Sequence, residues 1–261
     1  KYGLVNLKIR YGKAQLPEII LVDIRALFQA KGRNLFFSKD LLDGLKNSIN
    51  NHEQTILFQN RRGYAPYITC NDCAWIKKCS QCSVSLTYHM HTNELRCHYC
   101  GYKERTPQSC PACGSAKVIT MRYGTEQIEE ELKLLLPDAN IQRMDSDTTR
   151  KKYSYQNIID DFETRKTDIL IGTQMVTKGL DFDNVRLVGI FDIDRMIHFP
   201  DFRSQEKTFQ MLTQVSGRSG RRDVQGKVII QTSNPSQPVF EKIIHNDYSG
   251  LFENELTERE K

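Results

Sequence analysis

Eight cysteines, all between Cys70 and Cys113 of a 261-residue chain, occur as four CxxC pairs: "CNDC", "CSQC", "CHYC" and "CPAC". No cysteine lies outside that window. A tetrahedral zinc ion takes soft thiolates in twos, and one CxxC turn sets two sulfurs around the same metal. In "CHYCG" and "CPACG" a glycine follows, which permits a positive-φ turn that points backbone N–H groups at sulfur. The opposing readings are a disulfide framework or a thioredoxin-like redox pair. With no secretory signal, and four pairs rather than one, the compartment argument runs against both. The expectation is two structural Zn²⁺ ions.

Spacing bears on which pairs share an ion. Between Cys82 and Cys97 the segment "SVSLTYHMHTNELR" alternates like a hairpin, and a hairpin with a CxxC knuckle at each end is a zinc ribbon. That joins Cys79 and Cys82 to Cys97 and Cys100, and leaves Cys70, Cys73, Cys110 and Cys113 for the second ion, a nested arrangement. Spacing alone leaves sequential and cross-braced pairings open. His89, His91 and His98 read as surface or supporting residues rather than ligands. Trp75, Tyr88 and Tyr99 suit either base stacking or covering the small core of a ribbon.

Around the cysteines the chain alternates strand and helix. "TILFQN" (55–60), "VITMRYG", "NIQRMD", "DILIGT" (168–173), "VRLVGIFD" (185–192) and "GKVIIQT" read as strands. Helices are predicted from Thr125, around "YQNIIDDFETR", from Ser204 and from about Pro235. The predicted fold class is α/β: a parallel sheet covered by helices on both faces and interrupted by the zinc insertion. The formal charge is +5, but eight thiolates holding two Zn²⁺ leave about +1. Bulk charge therefore says little about nucleic acid, and no apolar run is long enough to span a bilayer.

Local clusters say more. Ligands in such folds bind beyond the carboxyl ends of strands. Arg61, Arg62 and Gly63 follow the first strand, "QMVTKGLDF" follows "DILIGT", and the helix from Ser204 leads into "QVSGRSGRRD". There Arg218 and Arg221 flank Gly220 in an anion-binding pattern rather than pairing with surface carboxylates. No GxxxxGK[ST] phosphate loop is present, and Asp192 and Asp194 of "FDIDR" come too late to complete one. The arginines thus read as fingers offered to a phosphate cradle located elsewhere.

Taken together, "ILFQNRRGYAPYITC", the four CxxC pairs, "DILIGTQMVTKGLDFDNVRLVGIFDID", "PDFRSQEK" and "QVSGRSGR" resemble the PriA family of primosomal replication-restart DNA helicases of superfamily 2. The resemblance covers nearly the whole chain. It implies the second of two RecA-like lobes, with ATP at their interface and a two-zinc insertion of nested pairing. "QVSGRSGR" is similar to helicase motif VI, which makes Arg218 and Arg221 the arginine fingers and Gln214 a supporting ATP-site residue. "TQMVTKGLDF" is similar to motif V: Thr173, Gln174 and Lys178 would face DNA, while Gly179 and Asp181 approach the ATP cleft. "NRRGYAP" resembles motif IV, with Arg61 and Arg62 as phosphate contacts.

The same resemblance divides the chain. Residues 1–54 would lead from lobe 1, 55–69 open lobe 2, 70–113 form the insertion, 114–245 complete the lobe, and 246–261 run toward a further domain. ATP and Mg²⁺ would be cofactors of the full-length protein, beside two Zn²⁺. Partners would be forked and single-stranded DNA, primosome proteins and single-stranded-DNA-binding protein, in bacterial cytoplasm without a membrane. The first lobe with its phosphate loop is absent, and the chain lacks an initiating methionine. The expectation is an excised piece that does not hydrolyse ATP by itself. The zinc block would serve as a duplex wedge or a protein dock. The rival readings are a non-enzymatic zinc-ribbon binding module on a RecA-like scaffold and a DNA-uptake ATPase, against which the cysteine spacing argues.

Overall fold

The computed structural model describes residues 15–25, 27, 37–59, 67–70, 72–73, 75–82, 86–89, 92–97, 99–121, 124–145, 148–149, 153–177, 182–197, 201, 203–220 and 224–259. Strand β1 (Glu18–Asp23) precedes helix α1 (Lys39–Asn50) and β2 (Gln54–Gln59). The chain then makes an excursion of five short strands: β3 (Tyr67–Cys70), β4 (Thr87–His89), β5 (Glu94–Arg96), β6 (Lys103–Arg105) and β7 (Val118–Met121). It returns through α2 (Thr125–Leu135), β8 (Ile141–Met144), α3 (Ser154–Glu163), β9 (Ile169–Gly172), a 3₁₀ turn (Gln174–Thr177) and β10 (Val185–Phe191). The remaining elements are α4 (Asp194–Ile197), α5 (Ser204–Ser216), β11 (Lys227–Thr232), α6 (Pro238–Ile244) and α7 (Tyr248–Arg259).

Six strands form one parallel sheet in the order β1-β11-β10-β2-β9-β8. Parallel neighbours need crossover connections, and these lay helices on both faces. Successive side chains point to opposite faces, so each strand supplies two cores. Ile56, Phe58, Val188, Ile190, Val228 and Ile230 meet Phe162, Phe209, Leu212 and Phe240 from α3, α5 and α6. On the other face Leu57, Ile169, Ile171, Leu187 and Ile229 meet Leu41 and Leu45 of α1 and Ile128 and Leu132 of α2. Each such buried side chain contributes about 1.5–3 kcal/mol, against about 0–1 kcal/mol for an exposed ion pair. The two apolar layers therefore dominate, and the RecA-like α/β architecture is the one predicted.

Three features differ from the sequence reading. Residues 1–54 contribute a full edge strand, since β1 pairs in parallel with β11 from Glu18 to Asp23, and α1, capped by the Ser38 hydroxyl, packs on the sheet. Val118–Met121 does not join the sheet. It pairs antiparallel with β3, Cys70 opposite Val118 and Tyr67 opposite Met121, and so forms the stem of the insertion. The predicted hairpin β4–β5 gains a third strand, β6, because the charged "KER" finds its backbone partners on β5. At the chain's end α7 buries Leu251 in the first core.

Gln54, 4% exposed, ties the start of β2 to the α3–β9 connection: its amide donates to the carbonyls of Phe162 (2.7 Å) and Thr167 (2.8 Å). Gln54→Leu removes both bonds inside a closed site and is expected to lower stability by about 1–3 kcal/mol. Urea unfolding of the zinc-loaded chain, followed by circular dichroism, measures this directly. An unchanged midpoint would show that other donors take over these carbonyls.

Candidate functional site

The stem carries Cys70 to the foot of the insertion, where the four pairs assemble into two groups: Cys70, Cys73, Cys110 and Cys113, and Cys79, Cys82, Cys97 and Cys100. Within each group the sulfurs all lie within 4.8 Å of one another. Cys70 and Cys113 stand 3.6 Å apart, as do Cys73 and Cys110, and Cys79 and Cys100. A tetrahedral ion with Zn–S bonds of about 2.3 Å separates its sulfurs by about 3.8 Å. Both groups thus fit the ion in the nested pairing, and neither the sequential nor the cross-braced arrangement is formed. The turns are knuckles: Gly101 and Gly114 have φ +75°, and their N–H groups donate to the carbonyls of Cys97 and Cys110.

Ile68, Leu86 and Leu95 form a small core with Cys79 and Cys97 of the second group. Trp75, Tyr88 and Tyr102 pack against it, so Trp75 and Tyr88 cover the core. Tyr99, at 67% exposure, stands in solvent. His89 belongs to neither group, while His91 and His98 lie outside the described residues.

Crowded sulfurs cannot all ionise without a cation. Burial works to raise Cys70, but the N–H groups of Cys73 and Asp72 and the neighbouring thiols bring it down to about 7. The Cys100 N–H chiefly holds Cys97 at about 7. Burial first, then the neighbouring sulfurs, push Cys73 up to about 12, and Cys100 first drives Cys82 to about 12. Each group thus divides into an acidic and a reluctant thiol, the imbalance that a divalent cation removes.

The arginine loop follows α5. Gly220 has φ +71°, and a Cβ there would stand 2.1 Å from the Gly226 nitrogen, so this close crossing of two backbones admits only glycine. Gly217 has an ordinary φ of −65° and needs no such freedom. The Gly220 N–H donates to the carbonyl of Val185, the first residue of β10. The loop therefore lies at the amino edge of the sheet and not among the carboxyl ends, because a crossover helix runs antiparallel to its strands and returns the chain to their start. Arg218 is half-buried, which lowers its pKa from the usual guanidinium value, and Nη2 donates to the carbonyl of Thr177.

Thr173 follows β9 at its carboxyl end, Gln174 begins the 3₁₀ turn, and Thr177 closes it by donating Oγ1 to the Gln174 carbonyl (2.8 Å). The structure thus joins Arg218 to the Thr173–Thr177 segment through a backbone carbonyl, a partner with no side-chain signature in the sequence. Gln214 is exposed on the last turn of α5. Arg61, Arg62, Lys178, Gly179, Asp181 and Arg221 lie outside the described residues. Asp194 accepts from Thr232 and Ser233, and Asp192, at φ +54°, from Gln59 and Arg195. Both carboxylates brace strand ends.

A parallel α/β sheet with an arginine loop and an inserted ribbon of two four-cysteine groups is an unusual combination within one chain. Residues 79–105 match the family model of the PriA DNA helicase Cys-rich region, and 114–223 that of the helicase conserved C-terminal domain. Replication restart protein PriA of Bacillus subtilis is 44% identical over 258 residues, 99% of this chain and 32% of that protein. Its counterpart in Haemophilus influenzae is 39% identical over 251 residues, 96% of this chain and 34% of that one. The chain belongs to the PriA family of replication restart proteins and spans about a third of the length of these curated relatives. Among solved structures, the C-terminal domain of the DEAD-box protein Dbp5 aligns with TM-score 0.45 and 12% identity, over 90% of this chain and 87% of that one. No helix among the described residues is long and apolar enough to cross a membrane.

The thiol balance sets a pH dependence. The zinc-bound groups hold no thiol protons, whereas the metal-free groups keep those of Cys73 and Cys82, so acid favours the metal-free state. Zinc affinity is expected to fall between pH 8 and pH 6 by about tenfold per pH unit for each proton displaced. Competition with a chromogenic chelator measures the fall. A flat profile would mean that thiolates are not the ligands.

Proposed function

We propose that the chain is the second motor lobe of an ATP-dependent DNA helicase acting at stalled forks in replication restart and primosome assembly. The observation that carries this reading is the bond from Arg218 to the Thr177 carbonyl, because it ties the loop that would face nucleotide to the turn that would face DNA. ATP with Mg²⁺, held on a separate lobe that bears the phosphate loop, would offer its γ-phosphate to Arg218 and Arg221, with Gln214, Gly179 and Asp181 beside it. A shift of Arg218 on hydrolysis passes to Thr177 and, through its Oγ1, to Gln174. Thr173, Gln174, Lys178, Arg61 and Arg62 contact the DNA backbone, so lobe closure becomes a step along the strand. Backbone contacts are blind to sequence and sensitive to salt, which suits an enzyme that must act at any fork. The setting would be the bacterial cytoplasm, with single-stranded-DNA-binding protein and primosome proteins as partners.

Cys70, Cys73, Cys110 and Cys113 would hold one Zn²⁺ and Cys79, Cys82, Cys97 and Cys100 the other, each ion serving to fold the insertion. For the insertion, a contact with duplex or single-stranded DNA at the fork is favoured over a protein dock. Ladder register places Thr87, His89, Glu94, Arg96, Lys103 and Arg105 on the face opposite buried Leu95. Glu94 is taken by Arg96 (2.9 Å), while Lys103 and Arg105 are exposed. That face is cationic, as a phosphate backbone requires.

Two measurements on the intact parent protein with forked DNA test these readings. Arg218→Ala and Arg221→Ala are each expected to reduce DNA-stimulated ATP turnover by about 10³–10⁵-fold, with no turnover from the isolated chain. Equal turnover in wild type and both variants would move the catalytic arginine elsewhere. Lys103→Glu with Arg105→Glu should weaken fork binding and reduce the salt slope by about two while retaining both zinc ions. Unchanged DNA affinity, with loss of a partner protein, would make the face a dock.

A further inference from the structure

Each four-cysteine group is crossed by a hydrogen-bonded carboxylate that the helicase reading does not use. At the outer group, Asp72 lies inside the first knuckle, between Cys70 and Cys73. Its Oδ2 accepts from the Ser115 hydroxyl (2.6 Å) and its Oδ1 from the Lys117 ammonium (2.9 Å). Both donors follow the fourth knuckle. Ser115 is itself bound to a ligand residue, since its carbonyl accepts the Cys110 N–H (2.7 Å), and its Oγ accepts the Lys117 N–H (3.0 Å). Asp72 therefore clasps the two halves of the outer group together and reaches Cys110 through one intervening residue.

The inner group has a counterpart of reversed polarity. Here the carboxylate, Glu104, follows the third knuckle and accepts from Lys77 (3.0 Å), which precedes the second. Glu104 also accepts from the Tyr102 hydroxyl (2.9 Å). The Tyr102 carbonyl in turn takes the N–H of Cys97 (2.8 Å). In each group, then, one carboxylate gathers an ammonium and a hydroxyl, and the hydroxyl-bearing residue offers its carbonyl to the first cysteine of a knuckle.

We propose that Asp72 and Glu104 are positioning residues for the two zinc ions, each acting on its own group and setting how fast that ion is released. The inference rests on the zinc reading. Half-exposed ion pairs add little to folding stability: Asp72 and Lys117 are 36% and 64% exposed, and such pairs contribute about 0–1 kcal/mol. Their value lies in geometry. When a sulfur lets go of the ion, the clasp holds its knuckle within reach of rebinding. The clasp does this without touching the metal. The outer group has the greater need, because Cys73 and Cys110 bound a long intervening chain whereas Cys82 and Cys97 bound a short one.

Zinc release from the purified chain into excess chromogenic chelator tests this, after elemental analysis of the wild type. Two ions per wild-type chain are required first, and fewer would count against the zinc reading and not against the clasps. Asp72→Ala is expected to accelerate release of one zinc equivalent by about tenfold or more and leave the other unchanged. Glu104→Ala should accelerate the other, and the double variant both. Asp72→Asn and Tyr102→Phe, which preserve shape, guard against simple misfolding and should give smaller accelerations confined to the same equivalents. Unchanged rates in Asp72→Ala, or equal acceleration of both ions by either single variant, would overturn the proposal.

Discussion

The antiparallel pairing of Tyr67–Cys70 with Val118–Met121 allows a parallel sheet and a zinc ribbon to share one chain. The crossover from β2 to β8 must return along the sheet through α2, and anything inserted into it must leave and re-enter at nearly one point. An unpaired excursion of that length would cost loop-closure entropy and leave two strands of backbone polar groups at the sheet edge. Pairing the two ends meets both demands at once. It also fixes where the cysteines go: Cys70 ends one strand of the stem, and Cys110 and Cys113 precede the other. The outer group is thus a continuation of the stem's register, and the inner group sits beyond it on the three-stranded meander.

The sheet imposes an equally strict geometry on the arginine loop. Helix α5 covers one face and hands the chain to β11 at the amino edge, where Gly220 and Gly226 cross with no room for a Cβ. Arg218 is held there by a carbonyl from the 3₁₀ turn that began at the opposite edge, after β9. Thr177 accepts from Arg218 through its carbonyl and donates its Oγ1 to the Gln174 carbonyl, so two hydrogen bonds join the arginine loop to the start of the turn.

How much of this was legible follows from what each feature demands of side chains. Soft thiolates at CxxC spacing made the four pairs and two ions legible, and alternation gave the ribbon hairpin between Cys82 and Cys97, but the nested grouping stayed open until the sulfurs were seen together. The central strands showed because Ile56, Leu57 and Phe58, or Ile169, Leu170 and Ile171, are apolar on both faces. The stem was misassigned because an apolar run such as "VITM" suits a sheet or a stem equally, and pairing partners are non-local. β6 was missed because its partners are backbone groups. The clasps around the zinc groups use Asp, Glu, Lys, Ser and Tyr, residues so common at surfaces that only their juxtaposition gives them meaning. Arg218 stood out in the sequence by its glycine-spaced setting, but its carbonyl partner and its place at the amino edge did not, since neither leaves a mark in residue type.

The two parts of the molecule are stabilised on different terms. The six-stranded sheet has two apolar layers, each built from whole helices, and needs no ion to stand. Among the described residues, the insertion gathers Ile68, Leu86, Leu95 and two cysteines into a buried cluster, edged by aromatic rings. A core of that size falls short of the entropy of ordering its chain, which is why small ribbons depend on metal. Metal loss should therefore loosen the insertion down to the stem while the register of the parallel sheet persists, because the β2–β10 and β2–β9 ladders contain no residue of the excursion. The division lets the insertion be rigid when loaded with metal yet free of any role in holding the parallel sheet together.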